Sequence, residues 1–353
     1  STVRNSQNSK STETVSQPKI MPLESFKVST FNLYNLVLPD VTYYGKNKYS
    51  PEVYDQKKIW IGRQLERMNA DIVGFQELFH EQALQEIVHT VKSYKDANLV
   101  VGFPASYDPN NLRPLVALVS RFPVIRYQVY EDFPTEALLE IDDKSIPLVQ
   151  FSRPILSAQL QLDDGVECTV FVAHLKSKRP ILPEGADRNN PVEQAKGAAR
   201  SLILRATEAT ALRMILMETL QNRQHPVIVM GDVNDSDLSV TTQIVTGQPP
   251  WKKLPFEKKK KIWDVLLYSV KDLQARQSYG DFYYTHIYNG YYQALDHIFV
   301  SEEWVSQNPN SLGKVEYVSI LNDHLVDETL TDEGVEKWQS DHAQIVATIQ
   351  MRI

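Results

Sequence analysis

Short apolar runs that each carry a polar side chain at one end constrain this chain more than any other feature. Asn32 closes FKVSTFN, Glu77 closes DIVGFQE, His174 follows ECTVFVA, and Asp232 follows PVIVMG with Asn234 just beyond it. Asp296 lies inside ALDHIFV, and Asp341 with His342 stands immediately before AQIVATI. Runs of this length, rich in β-branched and aromatic residues, read as buried strands. Polar residues at strand ends along one rim of a sheet can converge on a single cleft, where open α/β folds place their sites.

Helical spacing separates the first runs. Ile59, Ile61 and Leu65 mark a helix from Pro51 to Met68, and Leu84, Ile87 and Val88 mark a second, which gives a β-α-β-α opening. PLVALVS, VIRYQVYEDF, ILSAQLQL and ECTVFVAHL then follow one another as strands, with a turn at Asp163, Asp164 and Gly165, and predict antiparallel hairpins. A long helix is expected from about Val192 to Gln221, ended by His225 and Pro226. Short helices are expected near Val240 and Val265, and strands at DFYYTH, ALDHIFVS, KVEYVSIL and HAQIVATI. This order points to two packed sheets flanked by helices. Residues 1–24 are rich in Ser, Thr, Asn and Gln without apolar periodicity, so a disordered tail is expected there and one domain over 25–353.

With 353 residues, 42% of them hydrophobic, the chain can bury a sizeable core. A net charge of -7 lacks the footprint of a dedicated nucleic-acid binder and leaves local basic patches open. WKKLPFEKKKKIW is one such place: its lysines, over 252–261, form either a polyanion footprint or a solvated loop. The one cysteine, Cys168, excludes an intramolecular disulfide, a cysteine zinc site and a CxxC pair, and leaves the compartment undetermined. No apolar run approaches the roughly 20 residues that span a bilayer, so a soluble protein without a transmembrane segment is expected. The start at Ser1 is read as a processed or cloned one, which leaves secretion open. P-loop, GxGxxG and HExxH patterns are absent, so nucleotide motors, dinucleotide redox and zincin chemistry have no support.

In order, the blocks TFN, GFQE, SRFPV, AHLKSK, GDVND, LDHIFVS and SDH resemble the signature series of the endonuclease/exonuclease/phosphatase superfamily. That superfamily includes deoxyribonuclease I-like nucleases, exonuclease III-like repair enzymes, inositol polyphosphate 5-phosphatases and neutral sphingomyelinases. The resemblance covers nearly everything from Phe26 to Ile353. It implies an α/β (α+β) fold: a four-layer α/β/β/α sandwich of two mixed, mainly antiparallel sheets packed face to face with helices outside. It also implies phosphoester hydrolysis that depends on Mg²⁺, with Mn²⁺ or Ca²⁺ as substitutes; such hard cations take oxygen ligands and keep several waters.

The same resemblance distributes roles. Glu77 is the metal ligand with Asn32 beside it, Asn32 also touching substrate, and Asp341 is a further carboxylate near the first metal or on a second one. Asp232 orients or deprotonates the attacking water and Asn234 holds phosphoryl oxygens, although an Asx turn or helix cap would use the same residue types. His342 is an acid/base group whose tautomer Asp296 fixes. His174 contacts the scissile phosphate, and Lys176, Lys178 and Arg179 are cations flanking it, with a solvated loop as the alternative for the last two. Arg121 is read as structural. Asn35 stands where nuclease-like relatives often carry an acid, so a second metal near the first block stays open. Ser340, Asp341 and His342 are contiguous and cannot face one another as a triad.

A monomeric nuclease acting on DNA or RNA is the first expectation. A phosphatase or phosphodiesterase for a small or lipid phosphoester is the second, favoured by the acidic charge. A catalytically silent binding module is the third, and retention of every matched polar residue argues against it.

Overall fold

The computed structural model describes residues 23–249, 253–275 and 283–352. The expected tail therefore lies outside the described residues except for Leu23 and Glu24. Strand β1 (Ser25–Leu36), helix α1 (Pro51–Met68), strand β2 (Ile72–Leu78) and helix α2 (Glu81–Thr90) form the opening that the periodicity predicts. β3 (Asn98–Val101), β4 (Leu115–Ser120) and β5 (Val124–Asp132) follow, then a small ribbon of β6 (Glu140–Ile141) and β7 (Lys144–Ser145). The middle holds β8 (Gln150–Asp163), β9 (Val166–His174), α3 (Pro191–Leu220), β10 (Val227–Asp232) and α4 (Val240–Thr246). The last third holds α5 (Phe256–Trp263), β11 (Tyr268–Ser269), α6 (Val270–Ala275), β12 (His286–Tyr288), β13 (Tyr291–Gln293), β14 (Asp296–Val300), β15 (Gly313–Leu321) and β16 (Gln344–Met351).

Local chemistry sets the helix ends. The Ser50 hydroxyl accepts the Val53 N–H ahead of Pro51, and α1 stops where Asn69 turns left-handed at φ 44°. Asn190 caps α3 in the same way, its side chain accepting the Val192 N–H ahead of Pro191.

Two six-stranded sheets run in the orders β15-β16-β1-β2-β4-β3 and β11-β14-β10-β9-β8-β5. Val28, Ile72 and Leu118 of the first meet Val172, Met230 and Ile298 of the second in a dry inter-sheet core. Phe31 and Phe75 turn outward beneath Ile61 and Leu84 of the first two helices, and Phe171 and Val229 turn outward beneath Leu212 and Leu216 of α3. Each such side chain, once buried, contributes about 1.5–3 kcal/mol. The layers are helix, sheet, sheet, helix, as the resemblance implies.

Three local expectations change. β8 and β9 do form a hairpin, but β4 and β5 belong to different sheets. Between them Pro123 has no N–H to continue a ladder, and the Ser120 hydroxyl accepts the Phe122 N–H to turn the chain. Arg121 fastens this crossover: its guanidinium donates to Asn69 and the Ser93 carbonyl, pairs with Asp71, and lies 4.4 Å from the Tyr94 ring centroid. The helix expected near Val265 lies earlier, at Phe256–Trp263. Among the described residues of DFYYTH, Tyr283 to His286, only His286 is in a strand; Asp281 and Phe282 lie outside the described residues. The Thr285 hydroxyl accepts the Leu295 and Asp296 N–H groups, pinching the chain where a strand was expected.

Candidate active site

Alternation along the strands builds the site. On the inner face of β10, Ile228 and Met230 are apolar and the next inward position is Asp232. β9 repeats this with Val170, Val172 and His174, and β14 with Val300, Ile298 and Asp296. Register then aligns them, since Asp232 is the pairing partner of His174 on one side and of Asp296 on the other. Three polar side chains thus form one row where the dry core ends. Gly74 lies just below: a Cβ there would meet Met230 Sδ at 2.6 Å, so the sheets are unusually close beneath the row.

The opposite sheet supplies Asn32, which follows Val28 and Thr30 on the inner face of β1. Its Nδ2 donates to Asp232 Oδ2 at 3.2 Å, which joins the two sheets. Strict alternation would send Glu77 outward after Val73 and Phe75. Its backbone is left-handed, with φ 61°, and its carboxylate feels the charges of Asp341, His342 and Arg153. Such a conformation costs a non-glycine residue about 1–3 kcal/mol and persists where the surroundings impose it.

His342 closes the cleft. Its Nδ1 lies 2.7 Å from Asp296 Oδ2, and its Nε2 lies 3.7 Å from Asp232 Oδ2 and 3.8 Å from Asp341 Oδ1. The Ser340 hydroxyl donates to the Asn32 carbonyl at 2.7 Å and accepts the His342 N–H at 3.1 Å, so it ties this segment to β1. Asp232 uses its other oxygen locally: Oδ1 accepts the Asn234 N–H at 3.0 Å. That is an Asx turn, and Asn234, at φ 53°, aims its Nδ2 at the Leu175 carbonyl. Gly231 is required before it, because at φ 148° a Cβ would stand 1.9 Å from the Ala173 carbonyl oxygen.

The two lysines of AHLKSK and the Arg179 that follows divide. Lys176 Nζ donates to Ser177 and to the Arg179 carbonyl, Lys178 pairs with Asp235 at 3.4 Å, and Arg179 is exposed. Asp235 also accepts from Arg205 and Thr241, so Lys178 is drawn toward α3 and α4.

Residues 30–342 match the sequence model of the Endonuclease/Exonuclease/phosphatase family. The chain belongs to that family. Solved structures sharing the fold include an endonuclease/exonuclease/phosphatase family protein from Bacteroides thetaiotaomicron, with 15% identity over 93% of this chain and 98% of that one and a TM-score of 0.53. A humanized TDP2 from D. rerio gives 16%, 93%, 99% and 0.53 in the same order, and the human Nocturnin catalytic domain gives 15%, 93%, 94% and 0.53. No curated protein sequence matches at a significant level. At these identities the structures establish the fold, and the family places this chain among metal-dependent phosphoester hydrolases.

Electrostatics in the family cleft follow from burial. Desolvation, then the neighbouring Asp296, pushes the Asp232 carboxyl up to about 8. Burial and Asp341 likewise raise Glu77. Burial opposes charge on His342, yet Asp296, Asp232 and Asp341 together outweigh it and hold the imidazole well above its ordinary range. His174 goes the other way, held well below that range by burial and by Arg153. His174 Nε2 lies 3.3 Å from Arg153 Nη2 and 3.5 Å from Asp232 Oδ2, between a cation and a carboxyl group.

A divalent cation fits these residues. Burial and the neighbouring Asp341 make Glu77 costly to ionise, and Asp341 Oδ1 is buried without a hydrogen-bond partner. Asp341 also groups with His286 and His342, their ligand atoms lying within 4.8 Å of one another. A second group, Asp232, Asp296 and His342, meets the same limit, but Asp296 Oδ2 is already engaged by His342.

The sequence reading passed over three residues here. Arg153, near the start of β8, faces His174, and its Nε is buried without a partner. His286 sets its Nδ1 2.8 Å from the Asp341 carbonyl oxygen. Lys57, fully buried on α1, donates from Nζ to the carbonyls of Tyr34, Lys337 and Gln339, each at 3.0 Å. Burial pushes its amine down to about 7, but three acceptors at this distance require all three protons of the ammonium. Arg153 and His286 obey the strand-end rule; nothing in the pattern singles out Lys57.

Proposed function

We propose that this cleft hydrolyses phosphodiester bonds, and that nucleic acid, DNA or RNA, supplies them. The observation that carries the reading is the aligned row of His174, Asp232 and Asp296 facing Asn32 and Glu77 across the inter-sheet gap. Glu77, Asn32 and Asp341 are the residues that would hold Mg²⁺, for which Mn²⁺ or Ca²⁺ can substitute. When bound, the ion supplies Lewis-acid stabilisation of the phosphoryl and leaving oxygens.

The chain's own groups do the rest. Asp232 Oδ2 accepts the proton of the attacking water, and Asn32 Nδ2 together with the Asn234 N–H holds the carboxylate in place. His342, kept cationic by its carboxylates, donates from Nε2 to a phosphoryl oxygen, while Nδ1 stays on Asp296. Arg153 adds a second charge-assisted donor beside the neutral His174. Arg179, exposed beyond His174, would meet the substrate directly, whereas Asn234, Lys176 and Lys178 would have to leave the Leu175 carbonyl, Ser177 and Asp235 to do so.

The net charge of -7 favours a second reading, a small-molecule or lipid phosphoester. A panel of plasmid, single-stranded DNA, RNA, inositol phosphates and sphingomyelin, assayed with Mg²⁺ and with an Asp232→Ala control, separates the two. Turnover of a nucleic acid that is lost in Asp232→Ala is the expected result. Turnover confined to inositol phosphates or sphingomyelin sinks the nuclease reading, and full activity in Asp232→Ala sinks the site.

A further inference from the structure

Beside the cleft stands the β12–β13 ribbon, closed by Asn289 and Gly290 at φ 47° and 77°, the positive values that a tight Asn-Gly hairpin turn requires. Its register pairs His286 with Gln293, Ile287 with Tyr292, and Tyr288 with Tyr291. Alternation therefore puts His286, Tyr288 and Tyr291 on one face, and Ile287 with Tyr292 on the other. The second face is partly covered: Tyr292, 42% exposed, meets the Tyr284 ring edge-on at 5.0 Å, and its hydroxyl donates to Asp327 at 2.8 Å.

The first face starts at the candidate site. The His286 ring lies 4.8 Å from that of His342 with 31° between their planes, and a β-bridge joins the two residues. Two residues further out, about 6.6 Å along the strand, Tyr288 and Tyr291 face each other as a cross-strand pair, 61% and 68% exposed. Aromatic rings this open beside a phosphate cleft match a ligand that brings flat faces of its own. A net charge of -7 gives the chain as a whole no attraction for a polyanion, so uncharged contacts at the cleft would add to its grip.

We infer that Tyr288 and Tyr291 form a stacking platform for nucleobases next to the scissile phosphate, and that the substrate is single-stranded nucleic acid. This rests on the phosphodiesterase reading above and narrows it. Stacking on tyrosine tolerates any base, because every base has a π-face, and it requires the base to be unpaired.

The test measures binding of a fluorescein-labelled oligothymidylate by anisotropy with Mg²⁺, in an Asp232→Asn background whose turnover is slowed about a hundredfold or more. The Tyr288→Ala/Tyr291→Ala pair should weaken the Kd roughly tenfold to a hundredfold, and the Tyr288→Phe/Tyr291→Phe pair should restore it. An oligomer of abasic sites should bind both backgrounds alike. Unchanged affinity of the alanine pair for oligothymidylate overturns the platform, as does a loss confined to sphingomyelin vesicles, which would make the ribbon a membrane contact. Hydrolysis of bis(nitrophenyl) phosphate by the wild-type chain is measured in parallel. Without it the underlying phosphodiesterase reading fails; with it, and with the alanine pair unimpaired, only the platform fails.

Discussion

Asp232 divides its labour between two oxygens, one holding the Asx turn and the other facing Asn32, His174 and His342. Folding raises its pKa from 3.8 to about 8, so between those values the folded state binds a proton that the unfolded state releases. Stability of the metal-free protein is therefore lost as pH rises from about 4 to about 8. Glu77, also raised, acts with the same sign. Asp232→Asn removes this cost. In chelator at pH 8 the variant should be more stable than wild type by about 1–4 kcal/mol, with the difference gone near pH 4, while its turnover with Mg²⁺ falls by about a hundredfold or more. Thermal unfolding at both pH values checks the first part, and equal stabilities at pH 8 would show that the cleft does not strain its carboxylate.

At the scale of elements, Lys57 pins α1 to two segments that meet at the site: the left-handed corner at Tyr34 and Asn35, and the loop ahead of Ser340. Lys57→Met should leave three part-buried carbonyls without their donor, at up to about 1–3 kcal/mol each, and urea unfolding should show a lowered midpoint. A midpoint within error of wild type would mean that water replaces the ammonium. The strands and helices were legible because hydrophobic period reports them, and so was the convergence of Asn32, His174, Asp232 and Asp296, each a polar break in an apolar run. Glu77 was legible as a residue but not as an inward one, since period two sends it the other way. Lys57 was not legible, because a lysine in a helix reads as solvated unless its burial is seen. Nor was the separation of β4 from β5, because two adjacent strands do not announce which sheet each joins.

Across the whole molecule, charge decides what kind of grip on substrate is available. The lysines of α5 sit on a helix with no buried residue, and among the described residues no helix is long and apolar enough to cross a membrane. With Arg153, Lys176, Lys178 and Arg179 as the near cations, a single strand should bind with a log–log salt slope of only about −2 to −3, at ~0.7 for each phosphate neutralised. KM for an oligonucleotide measured across a salt series should rise with the same steepness and opposite sign, about +2 to +3, whereas a small ester should show none; a flat oligonucleotide series would favour the small-ester reading. The metal lies at the centre of the account, and Mg²⁺ titration of phosphodiester hydrolysis in wild type and Glu77→Gln tests it most directly. The account predicts that chelation abolishes the wild-type rate, that Mg²⁺ restores it, and that half-activation in Glu77→Gln needs at least about tenfold more ion. A wild-type rate that survives chelation, or the same half-activating concentration in both proteins, would contradict it.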